Sequence, residues 1–235
     1  MQFMYTNILE HFNFIFKFKN MYEASGRTNL EMKEKIDTAI NNLEEDLHSI
    51  IEGRAAPYLD KVCNGDISFY DDERYRALFN HYLATQYLRT NHMKERMKTR
   101  FNAKPQVYVP FGMNIERIWN VISHMLATHL SLVMSEGDGY MQLILLSNST
   151  RTPFITSDQP IINKKSNNIG YVAPTEWELY YPVTPDIALV LSEKNKSQYS
   201  GNLTEIEVFE LNNGMVAASE EQVYASERHV LERYL

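Results

Sequence analysis

A single cysteine, Cys63, stands in a chain of 235 residues. It can form no internal disulfide and no cysteine-rich metal site, which fits a reducing, cytosolic compartment. No apolar run approaches the ~20 residues needed to cross a bilayer, so no membrane partner is expected. Positive charge is also in short supply: 23 lysines and arginines against 30 aspartates and glutamates leave a net charge of −7. That balance argues against a protein that coats nucleic acid, although a local basic groove is compatible with it. The chain has no Gly-rich phosphate loop, no His-Glu-x-x-His, no Gly-x-Ser-x-Gly elbow and no repeats. The Glu-x-x-His spacing of di-iron bundles occurs once, at Glu45 and His48, on the side away from the apolar stripe, and reads as chance.

What is present is ordinary globular composition, 44% hydrophobic and 23% charged, in a chain long enough to bury a substantial core. Residues 1–235 read as one domain with an aromatic strand segment (1–23), a helical half (29–136) and a β-rich half (139–226). The start is no signal peptide, because Lys17 and Lys19 follow the apolar part and Glu10 and His11 interrupt it. Phe12, Phe14, Phe16 and Phe18 alternate, which predicts a strand with one greasy face; unpartnered, it would drive self-association.

From Asn29 the period becomes helical, with Ile36, Ile40, Leu43, Leu47, Ile50 and Ile51 on one face. Gly53 and Pro57 predict a kink or break before Tyr58. A second helix starts near Asp71, with Tyr75, Leu78, Phe79, Tyr82, Leu83 and Tyr87 as its stripe and a basic tail over 94–100. A third follows Gly112, striped by Ile115, Ile118, Trp119, Ile122, Leu126 and Val133. Strands are predicted over 140–146 (apolar on both faces, hence interior), 154–156, 178–183, 187–191 and 206–211. The sum is α+β: an amphipathic helical half packed on a mostly antiparallel C-terminal sheet.

Three residues carry the chemical expectation. Arg89 continues the apolar stripe of the second helix, and a core-facing guanidinium needs a carboxylate, carbonyls or an anionic ligand. Asp158 ends the run Phe154-Ile155-Thr156-Ser157-Asp158-Gln159-Pro160, where a β-prone segment enters an acidic turn closed by proline. Glu52 at the predicted helix break is the second carboxylate. A structural ion pair and an Asx-turn account for these residues as well as an anion clamp or a metal-assisted acid–base centre does. Ser157 and His129 are candidate ligand-binding residues; His129 falls on its helix's apolar stripe, whereas His124 lies opposite and is expected in solvent. The basic run Lys94, Arg96, Lys98, Arg100 and Lys104 reads as a solvated helix end.

Several segments resemble the bacterial domain-of-unknown-function family numbered 4238. They are Lys19-Asn20-Met21-Tyr22-Glu23, the stretch from Glu52 through Pro57 to Leu59, Leu88-Arg89-Thr90, and Phe154 to Pro160, the most specific. Tyr181-Pro182-Val183-Thr184-Pro185 and Leu211-Asn212 with Ala218 and Tyr224 complete the likeness, which covers roughly residues 17–226. Two departures stand out: the family's opening His-Tyr-Val-Pro strand has no counterpart, which implies a lost or truncated segment, and Asn91 stands where a proline would follow Arg89-Thr90. The resemblance implies a fold but transfers no activity. The expectation is a phosphate-ester or nucleic-acid hydrolase using Asp158, Glu52 and Arg89, with a divalent metal ion as candidate cofactor. The alternative is a non-catalytic module for an anionic small molecule, nucleic acid or protein partner.

Overall fold

The computed structural model describes residues 17, 20–26, 30–102, 115–136, 140–166, 174, 176–194, 196–199 and 202–234. The chain divides into two compact units, residues 1–51 and 52–235. In the first, residues 20–24 are helical, and Gly26 in the left-handed region (φ 62°) ends the turn, with its N–H donating to Glu23 O at 3.3 Å. The four phenylalanines of the expected strand lie outside the described residues.

Helix α1 spans Leu30–Cys63, and the division between units falls within it. It runs unbroken through Gly53 and Pro57, so of the expected kink or break the break does not occur. Within the second unit, Ala55 and Val62 are fully buried, and the Tyr58 ring packs 4.8 Å from Phe69 and 5.5 Å from Tyr75. That packing outweighs the ~3 kcal/mol a proline costs a helix interior. Gly65 (φ 80°) closes α1, its N–H donating to Val62 O at 2.9 Å.

A 3₁₀ turn, Ser68–Asp71, leads into α2 (Glu73–Leu88), whose N-cap Asp72 accepts from Arg74 N at 2.8 Å. From Phe79 onward every residue of α2 is buried. Helix α3 (Asn91–Asn102) and α4 (Ile115–Ser135) follow. The buried face of α4 carries small polar residues, Ser123, Thr128, Ser131 and Ser135 with Ala127, which let it approach α2 closely. Asn80 Nδ2 of α2 donates to Ser135 Oγ at 2.9 Å, and His81 Nε2 lies 3.5 Å from Thr128 Oγ1. The apolar stripe read from the sequence is therefore not wholly the packed one: Val133 is 59% exposed. The two histidines exchange places for the same reason, His124 buried and His129 exposed.

The four-stranded antiparallel sheet has the order β1 (Gln142–Ser147), β5 (Ile187–Ser192), β4 (Glu178–Pro182), β3 (Ile162–Asn163). In the described sheet β1 occupies an edge, not the interior. A small pair joins β2 (Thr156–Ser157) to β6 (Val223–Tyr224). Residues 205–218 form helix α5 (Glu205–Ala218), where a strand over 206–211 is predicted. A capping box sets it: Glu207 N donates to Thr204 Oγ1 at 3.3 Å and Thr204 N to Glu207 Oε2 at 2.8 Å. Val208, Leu211 and Met215 are then buried at helical spacing, while Ile206 and Phe209 face outward. A short helix, α6 (Arg228–Leu231), ends the fold. Tyr180, Ala188 and Val190 share a core with α5 on one face of the sheet. On the other, Tyr181 Oη meets Tyr82 Oη of α2 at 2.9 Å. Both faces being covered, β4 and β5 are buried nearly throughout, as their continuous apolar sequence requires.

Pro57→Ala is expected to raise stability by up to about 3 kcal/mol; a lower denaturation midpoint would refute an unbroken α1. Acid provides a second check. Burial lowers the pKa of His81 from 6.5 to about 4, with the charge of Arg54 acting in the same direction. The unfolded chain takes up this proton near pH 6.5 and the folded chain resists to about pH 4, so stability is lost as pH falls through that window. Urea midpoints should drop there, and His81→Gln should flatten the dependence; an equally steep curve in the variant would remove His81 as its source.

Candidate functional site

Glu52 and Arg89 meet. Arg89 Nη1 donates to Glu52 Oε1 at 2.6 Å, and Gln86 Nε2 donates to the same oxygen at 3.0 Å. Arg89 does not face the core, however: it is the C-cap of α2 and its side chain is 37% accessible, that of Glu52 44%. The helix ends at Leu88, so the stripe does not extend to position 89. A pair this exposed contributes less than ~1 kcal/mol. The buried cation of α2 is Arg76, one register step from the exposed Tyr75. Its Nη1 donates to the carbonyls of Tyr70 (3.1 Å) and Asp71 (3.4 Å), and its Cζ lies 4.0 Å from the centroid of the Tyr140 ring.

Asp158 is engaged elsewhere. Its Oδ1 accepts from Glu220 N at 3.0 Å and its Oδ2 from Glu221 N at 2.7 Å, while its own N–H donates to Gln222 O at 3.1 Å. It shares no contact with Arg89 or Glu52 among the described residues. Ser157, buried, makes the local turn instead: Oγ accepts from Gln159 N at 3.2 Å and donates to Gln159 O at 3.0 Å. Gln159 is the residue that joins the motif to the helices. Its Nε2 donates to Tyr87 O (3.2 Å) and Ile161 O (2.6 Å), and its Oε1 accepts from Thr90 Oγ1. Asn212 of α5 secures the preceding residues, its Oδ1 accepting from Ile155 N at 3.1 Å and its Nδ2 donating to Pro153 O at 3.0 Å. Among the described residues, no group of three or more His, Cys, Asp or Glu could hold a metal ion.

A cleft opens beside this latch. Two cavities of about 140 and 340 Å³ share Tyr87, Met93, Arg96 and Ser166. The larger lies between two helical faces with the same i, i+3, i+4, i+7 spacing: Met93, Arg96, Met97 and Arg100 of α3, and Leu126, His129, Leu130 and Val133 of α4. Trp177 and Tyr87 meet edge to face at 6.1 Å beside it. The smaller lobe reaches Lys164 and His92. These two have acidic neighbours: Lys164 Nζ lies 3.6 Å from Glu178 Oε1 and bonds Tyr199 Oη, and His92 Nδ1 is 3.4 Å from Glu220 Oε2. Glu210 is a further lining residue of that lobe.

Arg96 and Arg100 are different. Both are half-buried, not solvated as the basic run is predicted to be. Arg96 Nη2 donates to Ser166 Oγ at 3.2 Å, and among the described residues neither guanidinium has a carboxylate partner. Like charges four residues apart on a helix cost a few tenths of a kcal/mol, here without a neutralising side chain. Burial pushes the Tyr87 hydroxyl up, with the charge of Arg96 opposing it. The pattern was available in the sequence as a Met-Arg-Met-Arg face.

The chain belongs to the family described as "Protein of unknown function (DUF4238)", which it matches over residues 10–229. No curated protein and no solved structure matches it. Among the described residues no helix is long and apolar enough to cross a membrane.

Replacing Gln159 by leucine should cost about 3 kcal/mol or more, because the carbonyls of Tyr87 and Ile161 and the Thr90 hydroxyl all lose a buried partner. Arg89→Ala should cost under ~1 kcal/mol. Equal urea midpoints for the two variants would disprove the assignment of the latch to Gln159.

Proposed function

We propose that this protein is a binding module for an anionic small molecule, held in the two-lobed cleft by Arg96 and Arg100. The observation that carries the reading is the presence of two guanidiniums, one turn apart on the α3 wall beside Met93 and Met97, with no carboxylate paired to either among the described residues. A planar fork suits bidentate contact with carboxylate or phosphate. The larger lobe, at 340 Å³, falls in the ~300–1,000 Å³ range of small-molecule sites. His129 stands on the facing wall, where its ring nitrogens can meet the same ligand.

The hydrolytic reading, with Asp158 and Glu52 around a phosphate held by Arg89, has less support. Both oxygens of Asp158 already accept backbone N–H groups, and Arg89 is already paired with Glu52. It would be revived by phosphodiesterase activity that Asp158→Asn abolishes without loss of stability.

Thermal-shift screening of the purified protein against inorganic phosphate, mononucleotides, alkanoates and alkyl phosphates tests the binding reading. A stabilising anion is expected, and Arg96→Ala with Arg100→Ala should weaken its binding by one to two orders of magnitude, since a hydrogen bond to a charged group contributes about 1.5–3 kcal/mol. Without ligand the double variant should be as stable as the parent or slightly more so, because a like-charge pair has been removed. Retained affinity in the double variant would sink the assignment.

A further inference from the structure

We infer that the ligand is a single-chain anionic amphiphile, an alkyl chain ending in a carboxylate or phosphate; this rests on the binding reading above and names its ligand class. The walls of the larger lobe argue for it. Along the α3 and α4 walls Met93, Met97, Leu126, Leu130 and Val133 bring aliphatic carbon and thioether sulfur, and besides the two arginines the polar lining among the described residues is confined to His129, Ser166 and the rims of Tyr87 and Trp177. A nucleobase carries donors and acceptors around its whole rim, and each one that meets the aliphatic part of the wall without a partner is penalised. An alkyl chain has nothing to satisfy there and gains from every methylene removed from water.

The polar groups are placed to match one charged end. Arg96 belongs to both lobes, and its bond to Ser166 Oγ at 3.2 Å fixes it at their junction. Arg100 follows one turn later on the same face of α3. A head group between the two guanidiniums leaves the chain to run along the α3–α4 walls. Methionines at positions 93 and 97 adapt their shape at little cost, so chains of more than one length can be accommodated. Val133, 59% exposed, marks the open side of the lobe.

The test is titration calorimetry on the full chain with saturated alkanoates from hexanoate to tetradecanoate, the matching alkyl phosphates, 1-alkanols and mononucleotides, all below micelle formation. Affinity for one of the two anionic series is expected to rise about fourfold per added methylene, the equivalent of about 0.8 kcal/mol, and to level off once the lobe is filled. Alkanols of equal length should bind at least tenfold more weakly, and Arg96→Ala with Arg100→Ala should bring the acids down to the level of the alkanols. Val133→Glu, at an exposed site where the fold tolerates it, should flatten the chain-length slope. Arginine-dependent binding that is indifferent to chain length, or a mononucleotide that outcompetes every alkyl anion, would overturn the amphiphile while leaving an anion site in place. No binding by any anion would remove the site itself.

Discussion

One buried primary amide sets the geometry of the second unit. Gln159 is 2% exposed and its side chain meets three separate stretches of backbone or side chain: the last turn of α2, the hydroxyl of Thr90 ahead of α3, and its own strand connection at Ile161. An amide offers two donors and an acceptor oxygen in one rigid plane, so satisfying all of them fixes direction as well as distance. Because α2 stops at Leu88 and α3 starts at Asn91, the bearing of α3 is set at this junction. The arginines that line the cleft are carried by that helix. Asp158 does comparable work on the other side: it holds the backbone at Glu220 and Glu221, and Glu220 in turn reaches His92 at the cleft. The serine-aspartate-glutamine segment thus supports the elements around the cleft, and Gln159 also lines its smaller lobe.

This explains which parts of the molecule were legible from the residues alone. The α+β class, the capped start of α2 and strands β1, β4 and β5 follow from periodicity and turn residues. Helix α5 escaped because Ile206, Val208 and Phe209 are β-prone and alternate with acids, a pattern that a strand also satisfies; the Thr204 to Glu207 capping signal was the deciding clue. In α4 the reading failed for a tertiary reason. Much of the buried face is serine, threonine and alanine, which register as weakly hydrophobic, with Trp119 and Met134 among them, while Leu126, Leu130 and Val133 border a cleft. Hydrophobicity alone reports which side avoids water, not whether another element or an open cavity lies there.

The charged residues were harder still. Apolar periodicity places a single guanidinium, that of Arg89, against apolar surroundings. Three arginines divide the role instead. Arg89 pairs at the surface with Glu52, Arg76 is buried against carbonyls and an aromatic face, and Arg96 and Arg100 have no carboxylate partner among the described residues. Extending the stripe from Tyr75 to Arg89 overran the end of the helix at Leu88, while the buried cation, Arg76, sits in its first turn beside the exposed Tyr75.

Arg76 also has a consequence for how the unit comes apart. Ion pairs to aspartate or glutamate dissolve once the carboxylate takes up a proton, but the partners of this guanidinium are two peptide oxygens and the ring of Tyr140, none of which changes charge in acid. Tyr140 lies just ahead of strand β1, and Lys194, at 5.4 Å from the ring centroid, lies just beyond β5. The clasp between α2 and the margin of the sheet is thus indifferent to protonation and, being enclosed, is poorly screened by salt. Conditions that disperse the surface charges therefore leave the partners of this guanidinium unchanged.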